Sequence, residues 1–391
     1  MSKLEELIQR YCPDGVEYVK LGRVCGFISG FAFKASLFHK EGEPVCKTTN
    51  IQQNAIDFSN MEYFHLDDYD TCLDRYLIMP QDIVIGMSGT IKVGINNSNR
   101  KCYLNQRVGK FSPNKEVLNN RYLFYILLNS TDTLCEGITG GSVKNLSNND
   151  INNLEIPIPP LPVQEEIVRV LDTFTELQAE LQAELQKREQ QYDYYQDLLL
   201  NKSQFSHLVS IGDVCDIKKG NTPIQKAKEG DYPLVVTTME RRSSDTYQFN
   251  ANAVCIPLIS SRGHGVASLN HVYYQEGKFA LGNILCAVIP HDEKVLKAKF
   301  LYYYLEYAKD YTLVPLMKGG ANVSMHCYDI EKVKIPLPSL EEQERIAYIL
   351  DRFDALTNDL TAGLPAEIDK RRQQYEFYRD KLLTFKRIGN D

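Results

Sequence analysis

The feature that most constrains this chain is an internal repeat with a period of about 180 residues. Residues 156–177 match residues 335–356 at 11 of 22 positions, with a constant offset of 179. The offset then becomes 183, and a KR-QQY-Y pattern recurs from Lys187 and from Lys370. This period is far longer than a solenoid unit. The chain is therefore predicted to consist of two similar halves, each ending in a long helix.

Each copy of the repeat continues as an amphipathic helix. Apolar residues recur at steps of mostly three or four, which gives one stripe that requires a partner helix. We expect the two helices to form an antiparallel coiled coil, with a break at Gly363, Leu364 and Pro365. The predicted pairing residues are Leu171, Phe174, Leu177, Leu181, Leu185 and Tyr192 in the first helix, and Leu350, Phe353, Leu356, Leu360 and Tyr375 in the second.

The two halves also open alike and share one order of elements. The segment VKLGRVCGFISGF (19–31) resembles VSIGDVCDIKKGN (209–221), and each half then shows short strands, a helix and a Gly-Gly segment, TGGSVKNLS (139–147) in the first half and KGGANVSMH (318–326) in the second. These patterns predict an α+β fold with two mixed α/β domains joined by two long helices. The expected boundaries are 1–160 and 206–338 for the domains, and 161–205 and 339–391 for the helices.

Composition limits the compartment and the kind of partner. The N-terminus is too charged for a signal peptide, and no apolar run approaches the ~20 residues of a membrane span, so we expect a cytoplasmic location. The net charge of −7 comes mostly from 151–208, which holds 4 basic and 10 acidic residues. The globular segments are nearly neutral, so the overall charge does not exclude DNA binding.

Sequence motifs for catalysis and metal binding are missing. The chain has neither a GxGxxG nor a Walker A loop, and its ten cysteines lack metal-ligand spacing. The segment PHDEK (290–294) contains two acids and a lysine, but their spacing is too tight for a nuclease site. We therefore predict a non-catalytic chain without a metal site.

The Gly-Gly loops are the best candidates for ligand contact. Glycine lets a backbone approach a ligand closely, and Ser, Asn and Lys contact phosphates and base edges. A plain turn between helix and strand is the alternative, and shared ancestry would preserve it in both halves. The residues predicted to contact DNA are Ser88, Thr90, Lys92, Arg107, Ser142, Lys144, Asn145, Lys219, Arg241, Arg242, Arg262, His264, Lys318, Asn322 and Ser324.

Taken together, these motifs resemble the specificity subunit of type I restriction-modification systems. The resemblance covers the whole chain and rests on the duplicated I-P-[IL]-P-x-L-x-x-Q-E-x-I stretches (156–167 and 335–346), the helices ending in KRxQQYxxY and the G-x-V-C openings. The tandem QAEL units at 178–181 and 182–185 look like the four-residue spacer repeats of that family.

The resemblance implies a division of labour. Each of the two mixed α/β domains (1–160 and 206–338) would be a target recognition domain for one half of a bipartite site in double-stranded DNA. The paired helices would set the spacing and dock two modification subunits, which use S-adenosylmethionine. Restriction subunits, which use ATP and Mg, would join the same complex. This chain would bind no cofactor and no membrane.

Two other functions are compatible with the sequence. The chain could be a coiled-coil scaffold with two protein- or ligand-binding domains and no DNA role. It could also be a methyltransferase with an unrecognised cofactor site. A strong salt dependence of DNA affinity would argue against the scaffold. Failure of the isolated chain to bind S-adenosylmethionine would remove the methyltransferase.

Overall fold

Two structural units divide the chain, and both include parts of the repeated helices. The computed structural model describes residues 3–52, 54–136, 145–262, 265–320, 322–357 and 363–388. Unit 1 comprises Met1–Glu180 and Asp369–Asp391, and unit 2 comprises Leu181–Ile368. Two helices, α6 (Leu161–Leu200) and α11 (Leu364–Leu383), contribute residues to both units.

Unit 1 combines short strands with helices. Its other helices are α1 Lys3–Tyr11, α2 Leu21–Val24, α3 Asn120–Asn129, α4 Thr131–Glu136 and α5 Asn148–Asn153. Its strands are β1 Tyr18–Lys20, β2 Cys25–Ser29, β3 Glu43–Cys46, β4 Ile51–Gln52, β5 Ala55–Ile56, β6 Glu62–Phe64, β7 Leu77–Ile78, β8 Ile83–Gly86, β9 Val93–Ile95, β10 Cys102–Leu104, β11 Val108–Pro113 and β12 Glu155–Pro157.

Unit 2 follows the same plan. Its strands are β13 Leu208–Ser210, β14 Cys215–Lys219, β15 Tyr232–Val235, β16 Arg242–Ser244, β17 Phe249–Asn250, β18 Ala253–Pro257, β19 Tyr273–Gln275, β20 Lys278–Leu281, β21 Leu285–Pro290 and β22 Lys334–Pro336. Its helices are α7 Ile211–Val214, α8 Ala298–Thr312, α9 Cys327–Glu331 and α10 Leu340–Thr357, and α11 Leu364–Leu383 continues from this unit into unit 1.

The sheets of the two units share one topology. Unit 1 has an antiparallel sheet β2-β11-β8-β9 and a mixed sheet β6-β3-β10-β7, in which β3 and β10 are parallel. Unit 2 has the equivalent sheets β14-β21-β18-β19 and β16-β15-β20-β17, with β15 and β20 parallel. In each unit the opening strand also pairs with the strand before the long helix, β1 with β12 and β13 with β22. The sheet-containing parts of the two units, whose sequences differ, therefore share one fold.

Continuous apolar strands lie between two covered faces. Ile83 and Ile85 of β8 face the core that contains α3, whereas Val84 faces a second core between the two sheets. In β18, Val254 and Cys255 divide in the same way between the helix-side core and the inter-sheet core. Successive side chains of a strand point to opposite faces, so a run without polar residues requires cover on both sides. Each unit thus has three layers: two sheets and a layer of helices.

A buried glutamine ties the start of α6 to unit 1. The side-chain oxygen of Gln164 accepts a hydrogen bond from the backbone N–H of Asn119 at 2.8 Å. Its side-chain nitrogen donates to the carbonyls of Val117 at 2.8 Å and Pro159 at 2.7 Å. Gln164 is fully buried, so these bonds join the helix start to the loop before α3 without competition from water.

The same three bonds recur in unit 2. Gln343 of α10 is also fully buried. Its oxygen accepts from the N–H of Lys297 at 2.8 Å, and its nitrogen donates to the carbonyls of Val295 and Pro338, both at 2.9 Å. The repeated glutamine is thereby explained as a structural link between helix and domain.

The long helices begin and break near the predicted positions. In α6, Pro162 lies in the first turn, where an N–H is not needed. Gly363 lies outside both α10 and α11, which confirms the predicted break. At the start of α10 the hydroxyl of Ser339 caps the helix, because Ser339 Oγ accepts from the N–H of Glu342 at 3.3 Å. The carboxylate of Glu342 pairs with Arg345 at 2.6 Å.

Replacing Gln164 with Ala is expected to destabilise unit 1 by roughly 2–4 kcal/mol, because three buried backbone groups lose their partner. Urea denaturation followed by circular dichroism measures the change. Gln190→Ala on the exposed surface of α6 is the matched control and should have little effect. Equal stability of both variants would show that the buried bonds contribute nothing.

Candidate nucleic-acid interface

In unit 1 the end of the Gly-Gly segment is joined to the loop after β8. The N–H of Leu146 donates to the carbonyl of Met87 at 2.9 Å, and Ser88 forms a β-bridge with Asn145. The N–H of Met87 donates in turn to the carbonyl of Arg107 at 2.8 Å. These contacts bring together three predicted DNA-contacting residues from distant parts of the sequence. Of these three, Arg107 and Asn145 are exposed and Ser88 is half-buried.

Two other predicted residues of unit 1 face a separate cavity. Thr90 and Lys92 line a space of about 280 Å³ together with Tyr375 and Arg379 of α11. Thr90 and Lys92 follow Ser88 in the loop after β8, but they line the cavity beside α11 and not the junction with the Gly-Gly segment. Four predicted site residues lie outside the described residues: Ser142, Lys144, His264 and Leu360.

Unit 2 repeats the junction at the equivalent positions. The N–H of Met325 donates to the carbonyl of Leu258 at 2.9 Å, and Ile259 forms a β-bridge with Ser324. Ser324 also exchanges backbone hydrogen bonds with Lys318 at 2.8 and 3.0 Å. The loop after β18 and the second Gly-Gly segment are thereby held as one surface.

Ser260 organises the loop after β18. Its N–H donates to the carbonyl of Val323 at 2.9 Å. Its Oγ accepts from the N–H groups of Ser268 at 3.1 Å and Arg262 at 3.2 Å. One small hydroxyl therefore fixes the path of the loop and its contact with the Gly-Gly segment.

Close backbone packing brings basic and amide side chains onto this surface. A Cβ at Gly265 would lie 2.9 Å from the carbonyl oxygen of Gly320, so glycine permits the approach of the two loops. Arg262, Lys318 and Asn322 are exposed around this contact. Such side chains suit phosphate oxygens and base edges.

Lys219, at the end of β14, lies near the end of the same Gly-Gly segment. The pKa of the Cys327 thiol is lowered to about 7, mainly by a hydrogen bond from Cys286 and also by the nearby charge of Lys219. Cys327 begins α9, directly after the Gly-Gly segment. The exposed Lys219 thus adds positive charge beside this segment.

Arg241 has partners within the fold. Its guanidinium donates to the side chain of Gln275 at 3.0 Å and to the carbonyl of Tyr274 at 3.2 Å, and it stacks on the ring of Tyr273. Burial lowers the pKa of Arg241, which is the mark of a guanidinium held inside the protein. Arg242 is exposed on β16, in the other sheet of the unit.

Aromatic side chains pair α6 with α11 within unit 1. The ring of Phe174 stacks on Tyr378 with 5.5 Å between centroids and lies 6.5 Å from Tyr375. In unit 2 the equivalent Phe353 of α10 packs on Tyr192 at 6.0 Å and Tyr195 at 5.2 Å, both from α6. The predicted helix pairing is present in both units.

The predicted leucine stripe has more than one environment. The fully buried leucines belong to the domain cores, Leu171 in unit 1 and Leu350 in unit 2. The remaining described leucines are the half-buried Leu181 and Leu185 and the exposed Leu177 and Leu356. The first turns of each helix thus pack on a domain, and the aromatic pairs lie further along.

A repeated aspartate provides a second link between helix and domain that has no assigned role in the sequence pattern. Asp172 of α6 accepts from the hydroxyl of Tyr125 and pairs with Arg121 at 2.9 Å. Asp351 of α10 likewise accepts from the hydroxyl of Tyr303, and its carboxylate pairs with the ammonium group of Lys299 of α8 at 2.9 Å. A polar identity at constant offset inside an apolar stripe is the sequence signal for such a link.

None of the described helices has the length and apolarity to span a bilayer. Within the same ranges, no three His, Cys, Asp or Glu side chains are grouped as a metal site requires.

Replacing Phe174 with Asp is expected to release α11 from α6, because a carboxylate replaces a stacked ring. Tryptic cleavage after Lys370 and Arg372 should accelerate by about ten- to a hundredfold, as expected for a loss of about 1.5–3 kcal/mol of burial. Thr173→Asp, at an exposed neighbouring position, is the control. Equal cleavage of both variants would contradict the aromatic pairing.

Sequence comparisons identify the family. The model of the type I restriction modification DNA specificity domain matches residues 13–188 and 206–370. A type I restriction enzyme specificity subunit of Haemophilus influenzae is 30% identical over 385 residues, covering 88% of this chain and 95% of that protein. A type I restriction enzyme specificity subunit of Escherichia coli is 33% identical over 301 residues, covering 70% of this chain and 72% of that protein.

Solved structures support the fold. A type I restriction-modification S subunit from M. genitalium superposes with a TM-score of 0.57 at 15% identity, covering 94% of this chain and 95% of that one. A chain from a structure of type I restriction-modification complex assembly superposes with a TM-score of 0.55 at 20% identity, covering 95% and 98%. The chain therefore belongs to the type I restriction-modification specificity subunits, and its function is to provide DNA sequence specificity.

Proposed function

We propose that each unit recognises one half of a bipartite target in double-stranded DNA. The observation that carries this proposal is the duplicated junction between the loop after the inner strand and the Gly-Gly segment. Both junctions use the same backbone contacts, Leu146 to Met87 and Met325 to Leu258. Their side chains differ, so one frame presents two different contact surfaces.

The contact residues follow from exposure and chemistry. In unit 1 we assign Ser88, Arg107 and Asn145, which the fold brings together. In unit 2 the corresponding group is Lys219, Arg262, Lys318, Asn322 and Ser324. Arginine and lysine contact phosphates and guanine, and asparagine contacts adenine, which makes these side chains suitable for major-groove recognition.

The long helices would set the distance between the half-sites. We place the domain boundaries at 1–160 and 206–338, with the helices at 161–205 and 339–391. The two QAEL units at 178–185 lie inside α6, an unbroken helix of 40 residues. A longer or shorter α6 would therefore change the number of base pairs between the two half-sites.

The chain would act without chemistry of its own. Its helices would dock two modification subunits, which bind S-adenosylmethionine and methylate adenine, and restriction subunits that use ATP and Mg would complete the complex. This chain itself would hold no cofactor. Because it works on DNA with these subunits, we place it in the cytoplasm.

Arg262→Gln combined with Lys318→Gln is expected to weaken DNA binding by the chain assembled with its modification subunits. If both side chains contact phosphates, the slope of log K against log salt concentration falls by about two. Fluorescence anisotropy with labelled target DNA over a series of salt concentrations measures this slope.

Lys294→Gln is the matched control, because this exposed lysine follows β21 at the end opposite the loop after β18. Pro257 of β18 pairs with Leu285 at the start of β21, whereas Lys294 lies beyond its last residue. An equal loss of affinity in the control would show a general charge effect and no localised DNA surface.

Deleting residues 182–185 is expected to shorten the gap between half-sites by one to two base pairs. Four helical residues span about 6 Å, and one base pair spans about 3.4 Å of the DNA axis. The deletion removes about 1.1 helical turns, so the apolar face is nearly restored. Methylation mapping shows both the half-sites and the gap.

Gln182→Glu changes the same segment without changing its length, and it should leave the gap as it is. A deletion variant that keeps the original gap but methylates new half-sites would contradict the role of the helix in spacing.

A further inference from the structure

Helix α1 covers a surface of unit 1 that is formed by the start of α6 and the end of α11. Lys3 pairs with Glu166 of α6 at 2.8 Å, and Leu4 is only 6% exposed within the core. On its other side, α1 lies along Tyr378 and Leu382 of α11. An amphipathic helix is thus seated between two longer helices.

Unit 2 contains the equivalent surface, and there it is an open groove of about 560 Å³. Its walls are Tyr195 and Leu199 of α6 on one side and Arg345 and Ile349 of α10 on the other, with Phe205 among its lining residues. By the repeat offset of 183, Tyr195 and Leu199 correspond to Tyr378 and Leu382 of α11. By the offset of 179, Arg345 corresponds to Glu166 of α6. No helix among the described residues of unit 2 occupies this place.

The groove leaves apolar side chains in water. Tyr195 is 37% exposed and Leu198 is 48% exposed. Their equivalents in α11, Tyr378 and Lys381, line the space beside α1, and Tyr378 is only half-buried. Adjacent exposed apolar residues in a groove are characteristic of a surface that binds another protein.

The residue equivalent to Glu166 has the opposite charge in unit 2: it is Arg345, which lines the groove together with Glu342. Glu166 pairs with Arg169 on its own helix at 2.6 Å and also with Lys3, and these contacts lower the pKa of Glu166 to about 2. At the equivalent position Arg345 pairs with Glu342 on its own helix at 2.6 Å. A helix seated like α1 would therefore place a carboxylate where α1 has a lysine.

We propose that this groove of unit 2 binds a short amphipathic helix from a partner protein. The helix has apolar residues three or four positions apart on one face, packed against Tyr195, Leu198 and Ile349. It carries an acidic side chain in its first turn, paired with Arg345. Its position corresponds to that of α1 in unit 1.

A second copy of this chain is a poorer occupant. Its α1 presents Lys3, which has the same charge as Arg345. That helix is also seated in its own unit, through the buried Leu4 and the pair with Glu166. An exchange between copies would break these contacts without gaining a complementary charge.

The test uses the full chain and two stapled peptides that copy α1, residues 3–11. One peptide has the natural sequence and the other carries Lys3→Glu, and each has a photoreactive leucine analogue at position 7. The acidic peptide should bind about two- to fivefold more tightly, because its charge is opposite to that of Arg345. Its cross-links should map to residues 195–207 and 337–349.

Variants of the chain test the charge assignment. Arg345→Glu should reverse the preference between the two peptides, and the half-exposed position should tolerate the change. Arg352→Glu, on an exposed position of α10 outside the groove, should preserve the preference. Circular dichroism checks that both variants remain folded.

Three results would overturn the proposal. The first is equal binding of the two peptides, or binding of neither. The second is cross-linking to residues 163–171, which would show that the peptide only displaces α1. The third is self-association of the chain that Arg345→Glu abolishes in sedimentation experiments, because a second copy would then be the occupant.

Discussion

The structure depends on a buried glutamine at the start of each long helix. Gln164 and Gln343 each make three hydrogen bonds to backbone groups inside their own unit. These bonds have direction, unlike apolar contacts, so they fix where the helix begins and how it leaves the domain. About two helical turns further along the same helix, Asp172 or Asp351 adds a second fixed point through its hydrogen bond to a buried tyrosine. Helix length can then vary without disturbing the domain to which the helix is tied.

This arrangement separates the parts that must stay constant from the parts that can change. The sheets have the same strand order in both units, and the Gly-Gly segments are attached through the same backbone contacts. Backbone contacts place no demand on side chains, so the loops can differ while their positions remain. Specificity for two unrelated half-sites then requires only substitutions on exposed loops such as the one that holds Arg262. The same separation explains why the identities concentrate in the helix starts.

The sequence located the repeat, the helix starts and the break at Gly363, because these depend on local patterns that a single segment contains. Strand order was beyond it, since the parallel pairing of β3 with β10 joins segments almost sixty residues apart. Periodicity also could not separate Leu171 in a domain core from Phe174 in the helix pair, because both lie on one stripe. Residue type suggested Arg241 for DNA contact, but burial and its hydrogen bonds to Gln275 and a carbonyl became visible only in three dimensions.

We infer that two copies of one structural frame recognise two half-sites at a fixed distance. Genome-wide mapping of adenine methylation tests this inference. The host has no restriction-modification system of its own and is supplied with this chain and its modification subunits. We expect a split motif with two different half-sites and a constant gap, methylated only when the chain is present. A continuous motif, or the same methylation without the chain, would contradict it. Absence of methylation from a correctly assembled complex would contradict it as well.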